Sequence, residues 1–386
     1  MLNTGEIGSQ LKNLGYSFYS GVPCSYLKNL INHAINEHQF IMAANEGDAA
    51  AICAGAFLGG RKPVLLCQNS GLANAVSPLG SLQHIFKIPL LGFVSLRGEI
   101  GIKDEPQHEL MGEITGGLLS LMKIKWDFLS PDPERAMEQI EAADSFMKKN
   151  ESFFFVVKKD SFSEVEPAAE TNTQSEIREK FLKEIRGSFN ESLPGHSRFT
   201  ALSSIIKHAD ESTVIIAATG KTGRELFEIK DHAGNFYMLG SMGCASSIAL
   251  GIAITRPLSD VIAIDGDAAL IMRMGALATN GYYGPKNMLH ILLDNESHAS
   301  TGGQFTVSPS VDFAQAALAC NYKRTFRTFC VNELENIIKT WKNDKRLTFV
   351  HMKINKDERA GTGRPSIKPY EVKERLIKFL GRGGII

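Results

Sequence analysis

The chain has 386 residues, of which 43% are hydrophobic and 22% are charged, so it can bury more than one core. At roughly 100 to 200 residues per domain, this length predicts two domains. Lysine plus arginine and aspartate plus glutamate each total 42, so the formal net charge is zero. We therefore expect no general binding to nucleic acid or to an anionic membrane surface.

The sequence carries no recognisable targeting or membrane signal. The first stretch, MLNTGEIGSQLKNLGYSF, contains Glu6 and Lys12 and lacks the apolar run of a secretory signal. No stretch approaches the ~20 apolar residues of a membrane span. The six cysteines are scattered singly and form no C-x-x-C pair. We expect a reduced, cytoplasmic protein without cysteine-bound zinc.

Short apolar runs alternate with helical segments through residues 1–165. The runs are mostly continuous, as in parallel strands that are covered on both faces. They are YSFYSGV, QFIMAA, PVLLC, PLLGFVSL, KWDFL and SFFFVVKK. Residues 47–58, which are rich in alanine, and residues 71–86 are the helix candidates between them. This part of the chain is predicted to be an α/β domain with a parallel sheet.

A polar, acidic stretch at residues 166–190 is predicted to be a linker. Residues 191–386 then repeat the first pattern, with helix candidates at 243–254 and 314–320. Their apolar runs are TVIIAAT, NFYML, DVIAI, NMLHILL, KRTFR and LTFVHMKI. The predicted fold is therefore α/β, with two doubly wound parallel-sheet domains at residues 1–165 and 191–386.

Two predicted strands of the second domain, DVIAI and NMLHILL, are each followed by polar residues. If these strands are neighbours, the segment between them is a crossover helix, and both open onto the edge where α/β proteins bind ligands. One loop offers Gly266, Asp267 and Ala268, and the other offers Asn295 and the carbonyls after it. Such oxygen ligands suit Mg²⁺ holding a diphosphate, with a glycine and a helix amino terminus facing the phosphates. The alternative is that Asp267 caps a helix and Asn295 ends a strand.

The same residues resemble the cofactor motif of thiamine diphosphate enzymes. That motif is a Gly-Asp pair, here Gly266 and Asp267, followed after the next strand by an asparagine, here Asn295. The sequence departs from it twice, with Ala268 in place of the usual second glycine and Asp294 in place of the usual first asparagine. Neither departure removes a presumed metal ligand.

The resemblance extends over nearly the whole chain and is specific to the phosphonopyruvate decarboxylase family, whose close relatives are the sulfopyruvate decarboxylases. The segments that carry it are GVPCSYL, ANEGDAAAICAG, QNSGLANAVSPLGSL, RGEIGIKDEPQHELMGEIT, TGKTGREL, GSMGCASSIALGIA, GDAALIMRMGALAT and LDNESHASTGGQ. It implies that residues 1–165 bind the pyrimidine of the cofactor and residues 191–386 its diphosphate, without the middle domain of larger relatives.

The function implied is the non-oxidative decarboxylation of 3-phosphonopyruvate to phosphonoacetaldehyde and CO₂ in phosphonate biosynthesis, with thiamine diphosphate and Mg²⁺. A homo-oligomer with active sites between subunits is implied as well. Sulfopyruvate or another 2-keto acid is the alternative small-molecule substrate. An alternative of another class is a catalytically inactive, nucleotide-binding α/β regulator.

Most of the predicted site residues follow from this resemblance. Asp267, Asn295 and a carbonyl at Ser297 are the predicted metal ligands, with Asp265 and Asp294 as their supports. The predicted cofactor-binding residues are Glu46, Asn69, Thr219, Gly220, Gly240, Ser241, Met242, Gly266, Asp267, Ala268, Ala269, Asn295 and Ser297.

Two of these positions also have simpler interpretations. Met242 alone suggests a core residue, whereas the resemblance assigns it to the apolar wedge that keeps the cofactor bent. Gly220 and the two residues after it look like the end of a phosphate-binding Walker A loop. That pattern also requires a glycine at position 215, where this chain has Ile215, so we do not expect a Walker A loop. A loop between a strand and a helix at Thr219 and Gly220 can still contact a diphosphate.

Glu46 follows the run QFIMAA at the start of an alanine-rich helix, where a lone glutamate commonly favours the helix amino terminus. The resemblance implies that it hydrogen-bonds N1′ of the aminopyrimidine and promotes the imino tautomer that removes the C2 proton of the thiazolium. This role requires a buried glutamate that holds a proton at neutral pH, as desolvation favours.

The predicted substrate side is made of residues that also have ordinary structural roles. Ser25 matches a serine near the substrate carboxylate in related decarboxylases, or is a turn serine. The histidine that larger relatives place after the third strand is missing, so His108 or His298 is predicted to transfer protons. The alternative is that each is an ordinary polar histidine. Arg97 and Lys103 are predicted to bind the dianionic phosphonate, with a solvated loop as the alternative.

Overall fold

The structure is a computed structural model that describes residues 1–168, 185–187, 195–357, 359 and 361–381. It divides into two compact units, the first with the described residues up to 168 and the second with those from 185 onward. Most of the predicted linker, residues 166–190, and the first residues of the predicted second domain, 191–194, lie outside the described residues. The domain bounds at 165 and 191 stay predictions.

The first unit contains a six-stranded parallel sheet in the order β2-β1-β3-β4-β6-β5. All six strands predicted in this part of the chain are present. They are β1 (Tyr16–Gly21), β2 (Phe40–Met42), β3 (Lys62–Gln68), β4 (Leu91–Ser95), β5 (Lys125–Phe128) and β6 (Phe153–Val157). The central strands β3 and β4 are almost wholly buried, which explains their continuous apolar sequence.

Helices connect these strands. They are α1 (Thr4–Asn13), α2 (Lys28–Asn36), α3 (Glu46–Leu58), α4 (Asn69–Pro78), α5 (Glu109–Leu121) and α6 (Pro133–Met147), with short 3₁₀ turns at Ser25–Leu27 and Pro106–His108. Helix α3 is buried along its whole length, and Asn45 accepts a hydrogen bond from the Gly47 N–H at its start. The helix predicted at 71–86 is instead α4, which ends at Pro78, followed by a π-helical turn at Leu79–His84.

The second unit contains a seven-stranded parallel sheet in the order β7-β14-β15-β11-β10-β8-β9. The six predicted strands are present, together with the short β7 and a separate antiparallel pair, β12 and β13. The strands are β7 (Ile185–Arg186), β8 (Val214–Ala217), β9 (Asn235–Tyr237), β10 (Val261–Gly266), β11 (Met288–Asp294), β12 (Ser297–His298), β13 (Gln304–Phe305), β14 (Arg324–Thr328) and β15 (Thr348–Lys353). The predicted fold class, two parallel α/β sheets, is confirmed.

The described helices of the second unit cover these strands. They are α7 (Arg198–His208), α8 (Lys221–Ile229), α9 (Ala245–Thr255), α10 (Asp267–Met272), α11 (Ala276–Tyr283), α12 (Phe313–Ala319), α13 (Val331–Asn343) and α14 (Pro369–Phe379), with a 3₁₀ turn at Ser308–Ser310. The single crossover helix expected between β10 and β11 is thus two helices. Helix α10 ends because Arg273 leaves the helical region, with φ near −136°.

Strands β10 and β11 are adjacent and parallel, with Val261 opposite Met288 and Gly266 opposite Leu293. The residues that follow them, Asp267 and Asn295, therefore lie at one carboxyl edge, as predicted. The six cysteines are free thiols. Over the described part of the chain, no helix has the length and apolarity that crossing a membrane requires.

Candidate active site

The carboxyl edge of the second sheet forms a cavity, and it gathers most of the predicted cofactor-binding residues of this unit. Those that line it are Thr219, Met242, Gly266, Asp267, Ala268, Ala269, Asn295 and Ser297, and the predicted catalytic residue His298 lines it as well. Arg198 and Lys221 also line it. Lys221 follows Gly220 in the stretch that looks like the end of a Walker A loop, whereas no motif indicated Arg198. The cavity therefore combines one carboxylate, several backbone groups and two cationic side chains.

Asp267 is buried at the start of α10, with its side chain held by a neighbour. The hydroxyl of Thr306 donates a 2.5 Å hydrogen bond to Asp267 Oδ2. Burial raises the pKa of the Asp267 carboxyl above its usual value and the charge of Asp294 adds to this effect, while the Thr306 hydrogen bond opposes it. Burial thus destabilises the ionised form of this carboxylate, and a cation bound next to it would stabilise that form again.

The loop after β11 turns sharply beside this carboxylate. Asn295 is buried, its side-chain oxygen accepts a 3.3 Å hydrogen bond from the Ser297 N–H, and Glu296 between them has a positive φ of 55°. The turn places Asn295 and Ser297 among the residues that line the same cavity as Asp267. The described residues contain no group of three or more His, Cys, Asp or Glu side chains that could hold a metal ion, so a metal here would depend on amide and carbonyl oxygens as well.

Asp294 anchors this loop rather than pointing to an open site. It is fully buried and accepts hydrogen bonds from His351 Nε2 at 2.8 Å and Ser308 Oγ at 2.7 Å, and it pairs with Lys353 Nζ at 2.8 Å. Burial alone would raise its pKa, but the three donors hold the pKa of Asp294 below its usual range. Asp294 therefore fixes the loop after β11, and its role as a support of the metal ligands stays a prediction.

Asp265 lies near the end of β10, as Asp294 lies at the end of β11. Its Oδ2 lies 3.0 Å from His290 Nε2, and the other ring nitrogen of His290 lies 3.1 Å from the Tyr322 hydroxyl. All three side chains are fully buried. This network ties β10 to β11 directly beneath the loop that carries Asp267.

The loops after β8 and β9 complete this edge. The Gly240 N–H donates a 3.2 Å hydrogen bond to the Thr219 hydroxyl, which joins the two loops. Gly220, Gly240 and Ser241 all have positive φ, of 91°, 70° and 45°. Ser241 is buried despite this strained conformation, and Met242 after it lines the cavity.

In the first unit, Glu46 is buried at the first position of α3, directly after β2. Its Oε2 accepts a 2.9 Å hydrogen bond from the Asn74 side-chain amide. A Cβ atom placed on Gly71 would lie 2.0 Å from Glu46 Oε1, so α4 packs against the carboxylate with no spare room. Glycine at position 71 and asparagine at 74 together fix the orientation of this acid.

Arg97, just after β4, is held rigidly by Asp104. Its Nε donates to Asp104 Oδ2 at 2.7 Å and its Nη2 donates to Oδ1, a two-pronged pairing that leaves Nη1 facing Ser25 Oγ at 3.3 Å. The backbone N–H groups of Gly98 and Glu105 also donate to Asp104. The hydrogen bonds from Arg97 hold the pKa of the Asp104 carboxyl well below its usual range.

The other predicted residues at the carboxyl edge of the first sheet differ in their exposure and in their hydrogen bonds. Lys103 is exposed and makes no ion pair within the described ranges. His108 is buried, and its Nδ1 has no hydrogen-bond partner there. Asn69 is fully buried and donates to the Arg97 carbonyl at 2.8 Å and to Thr115 Oγ1 at 3.2 Å, so within this unit its side chain supports the Arg97 loop.

Three comparisons with known proteins agree with this geometry. Residues 219–352 match the family described as thiamine pyrophosphate enzyme, C-terminal TPP binding domain. The chain is 35% identical to a phosphonopyruvate decarboxylase from Streptomyces viridochromogenes, over 98% of this chain and 95% of that protein. The chain belongs to the phosphonopyruvate decarboxylase family. A sulfopyruvate decarboxylase from Methanosarcina acetivorans is 30% identical over 96% and 95% of the two chains.

Membership in this family makes the chain a thiamine diphosphate-dependent decarboxylase, a carboxy-lyase. The fold agrees, since the benzoylformate decarboxylase of Polynucleobacter necessarius aligns with a TM-score of 0.71 at 12% identity, over 93% of this chain and 100% of that one. The comparisons therefore favour an enzyme over an inactive nucleotide-binding regulator. The matched family region, residues 219–352, contains every predicted metal ligand.

Several residues of this decarboxylase that contact the predicted site were missed in the sequence. Asp104, Asn74 and Thr306 hold Arg97, Glu46 and Asp267 respectively. Asp104 had a usable signal, because it lies in the polar stretch KDEPQH shortly after Arg97. Asn74 and Thr306 had none, because each contacts a residue at least 28 positions away in the chain.

Proposed function

We propose that this enzyme decarboxylates 3-phosphonopyruvate to phosphonoacetaldehyde and CO₂, with thiamine diphosphate and Mg²⁺ as cofactors, in phosphonate biosynthesis. The observation that carries the proposal is the similarity to a phosphonopyruvate decarboxylase over nearly the full length of both chains. The Arg97 cluster supports it, because a guanidinium that also donates to a serine hydroxyl, here from Nη1 to Ser25 Oγ at 3.3 Å, suits a phosphonate oxygen.

Mg²⁺ would be held by the Asp267 carboxylate, the Asn295 amide oxygen and a backbone carbonyl at Ser297. These hard oxygen ligands match the preference of Mg²⁺, and the raised pKa of Asp267 supports a cation next to it. The lysine and arginine that line the same cavity, Lys221 and Arg198, carry positive charge that favours a diphosphate. Arg198 also pairs with Glu225 at 2.9 Å.

Thiamine diphosphate, when bound, supplies the electron sink for loss of CO₂. The loops at Thr219, Gly220, Gly240 and Ser241, with Gly266, Ala268 and Ala269, would contact its diphosphate end. Met242 would pack against its middle. Glu46 would hydrogen-bond the aminopyrimidine and hold a proton at that ring, and its burial against α4 supports this role. The side-chain amide of Asn69 donates to the Arg97 carbonyl, so Asn69 would act by keeping the Arg97 loop in place.

On the substrate side, Ser25 and Arg97 would bind the phosphonate and carboxylate oxygens, with Lys103 as an additional cation. His108 and His298 are the candidates for delivering the proton to the product. His298 lines the Asp267 cavity, and His108 keeps a buried ring nitrogen without a partner among the described residues. Alanine variants that lower the rate of aldehyde release without affecting cofactor binding would distinguish the two.

The active form would be a homo-oligomer with active sites between subunits. If so, Glu46 of one copy and Asp267 of another serve the same site. Mixing inactive Glu46→Ala and Asp267→Ala variants under conditions of subunit exchange should then restore activity, because one site in the hybrid regains both residues. Mixed variants that exchange subunits but stay inactive would contradict this arrangement.

A second substrate, sulfopyruvate, is favoured by the 30% identity to a sulfopyruvate decarboxylase over 96% of this chain. A sulfonate carries one negative charge less than a fully ionised phosphonate, so the number of available cations decides between them. Measuring kcat/KM for phosphonopyruvate, sulfopyruvate and pyruvate separates these possibilities. We expect phosphonopyruvate to give the highest value.

A further inference from the structure

A cleft of about 460 Å³ opens in the first unit, at the edge of the sheet opposite to Glu46 and Arg97. Its walls come from residues that precede strands rather than follow them. Lys87 precedes β4, Lys123 precedes β5, and residues 150–152 precede β6. The volume falls within the range of roughly 300 to 1,000 Å³ that is typical of small-molecule sites. The cleft is thus separate from the carboxyl edge used by the proposed decarboxylation.

The cleft concentrates positive charge on a chain whose formal net charge is zero. Four lysines line it against one acid, Glu151, which leaves a formal charge of +3 (four minus one) with His84 neutral. The lysines are Lys87, Lys123, Lys125 and Lys149. Three of them, Lys123, Lys125 and Lys149, form no ion pair or hydrogen bond through their ammonium groups within the described parts of the chain. Their charge is available to a ligand.

Lysines often gather where helices end, because the free carbonyls there attract cations. Three helical segments end at this cleft, and in each of them a carbonyl of the last turn already accepts a backbone hydrogen bond. Gln83 O accepts from the Ile88 N–H at 2.9 Å, Leu119 O from Ile124 at 3.0 Å, and Phe146 O from Glu151 at 3.0 Å. The lysine ammonium groups are therefore not needed to satisfy these carbonyls.

Gln83 adds a second, independent feature to the cleft. Only 3% of this residue is exposed, and its Nε2 donates a 2.7 Å hydrogen bond to the Ala50 carbonyl in α3, which fixes the amide. Its Oε1 is buried and has no partner among the described residues, although the residue lines the cleft. A buried acceptor without a donor is unfavourable, so a ligand that brings an O–H or N–H group would be stabilised here.

We propose that this cleft binds a small molecule that carries a phosphate or phosphonate group and a hydroxyl or N–H donor. The anionic group contacts Lys123, Lys125 and Lys149, and the donor reaches Gln83 Oε1. This assignment is independent of the substrate proposed for the decarboxylase, since it uses the opposite edge of the sheet.

The first test measures protection of individual lysines in the full enzyme loaded with thiamine diphosphate and Mg²⁺. Acetic anhydride labelling, read by mass spectrometry, reports the reactivity of each amine with and without glycerol 3-phosphate at constant ionic strength. We expect slower labelling of Lys123, Lys125 and Lys149, and no change at the exposed Lys159 and Lys207. Equal changes at both groups of lysines, or no protection at all, would overturn the proposal.

A matched pair of ligands tests the role of Gln83. Propyl phosphate has the same chain length as glycerol 3-phosphate but lacks its hydroxyl groups. Glycerol 3-phosphate should protect the cleft lysines at a lower concentration than propyl phosphate, because its hydroxyl satisfies Gln83 Oε1. Equal protection by the two ligands would contradict the assigned donor.

Charge reversal provides the complementary test by calorimetric titration of glycerol 3-phosphate. Replacing Lys123→Glu together with Lys149→Glu should weaken binding by about tenfold or more, since charge-assisted hydrogen bonds are lost. The pair Lys159→Glu and Lys207→Glu makes the same change in net charge outside the cleft and should have little effect. The same loss of affinity in both double variants would indicate a general charge effect and would overturn the site.

Discussion

The carboxylate of Glu46 packs directly against the backbone of Gly71, where a Cβ atom would lie only 2.0 Å from Oε1. On the same helix, the Asn74 amide donates a hydrogen bond to Oε2 at 2.9 Å. Helix α4 thus clamps the acid from two sides. If Glu46 acts on the cofactor, its position depends on these two small contacts.

Gly71→Ala should lower kcat by about 100-fold or more, because a displacement of roughly 1 Å at a catalytic group has an effect of this size. Steady-state kinetics at saturating cofactor measures it. Gly80→Ala, in the adjacent turn with no atom within 4 Å of a new Cβ, is the matched control and should keep nearly full activity. A fully active Gly71→Ala variant would contradict the proposed role of Glu46.

Asp104→Asn should raise KM for phosphonopyruvate by roughly ten- to a hundredfold with a smaller change in kcat. The two-pronged pairing of Arg97 with Asp104 requires a carboxylate, and without it the guanidinium is free to turn away from Ser25. Glu105→Gln removes an exposed charge from the same loop and should leave KM within about twofold. A loss confined to kcat in Asp104→Asn would argue against a binding role for Arg97.

Thr306→Val should weaken Mg²⁺ binding by about tenfold or more, because residues that orient a metal ligand have effects of this size. The variant keeps the shape of the side chain but removes the hydroxyl that holds Asp267 Oδ2. Calorimetric titration of Mg²⁺ in the presence of thiamine diphosphate measures the change. Thr340→Val, on an exposed helix face, serves as the control, and equal affinities in the two variants would refute Asp267 as a ligand.

Asp294→Asn should destabilise the fold by on the order of 3 kcal/mol at neutral pH, since it leaves Lys353 and His351 without their buried partner. The pKa of Asp294 is lowered in the folded chain, so its contribution is fully present above about pH 4 and is lost as the pH falls toward the folded value. The difference between wild type and variant should therefore shrink below about pH 4.

Urea unfolding at pH 7 and at successively lower pH measures this dependence. Glu138→Gln, on an exposed face of α6, is the control and should change stability by no more than about 0.5 kcal/mol at any pH. A destabilisation by Asp294→Asn that is the same at pH 7 and pH 3 would mean that packing, not the charge of Asp294, holds the loop after β11.

Much of the fold could be predicted because its strands are continuous apolar runs that end at turn residues. The adjacency of β10 and β11, and with it the closeness of Asp267 and Asn295, follows from the βαβ pattern alone. The break between α10 and α11 could not be predicted, because ALIMRM and GALATNGYY are both compatible with one continuous helix. The break depends on the backbone of Arg273 rather than on a proline or a cap.

The partners of the site residues were harder to predict than the residues themselves. Thr306 reaches Asp267 across 39 positions of the chain, through the turn after β13, and no periodic pattern encodes such a contact. Asn69 is another example, since the resemblance implied a cofactor contact but gave no sign that its amide donates to the Arg97 carbonyl and to Thr115. Side-chain geometry of this kind depends on tertiary packing that local sequence does not specify.

The most direct measurement is the release of CO₂ from phosphonopyruvate, sulfopyruvate and pyruvate by the purified enzyme at saturating thiamine diphosphate and Mg²⁺. We predict release from phosphonopyruvate with the highest kcat/KM of the three, and no release by the Glu46→Ala variant. A higher kcat/KM for sulfopyruvate or pyruvate, or no CO₂ from phosphonopyruvate, would contradict the proposed function.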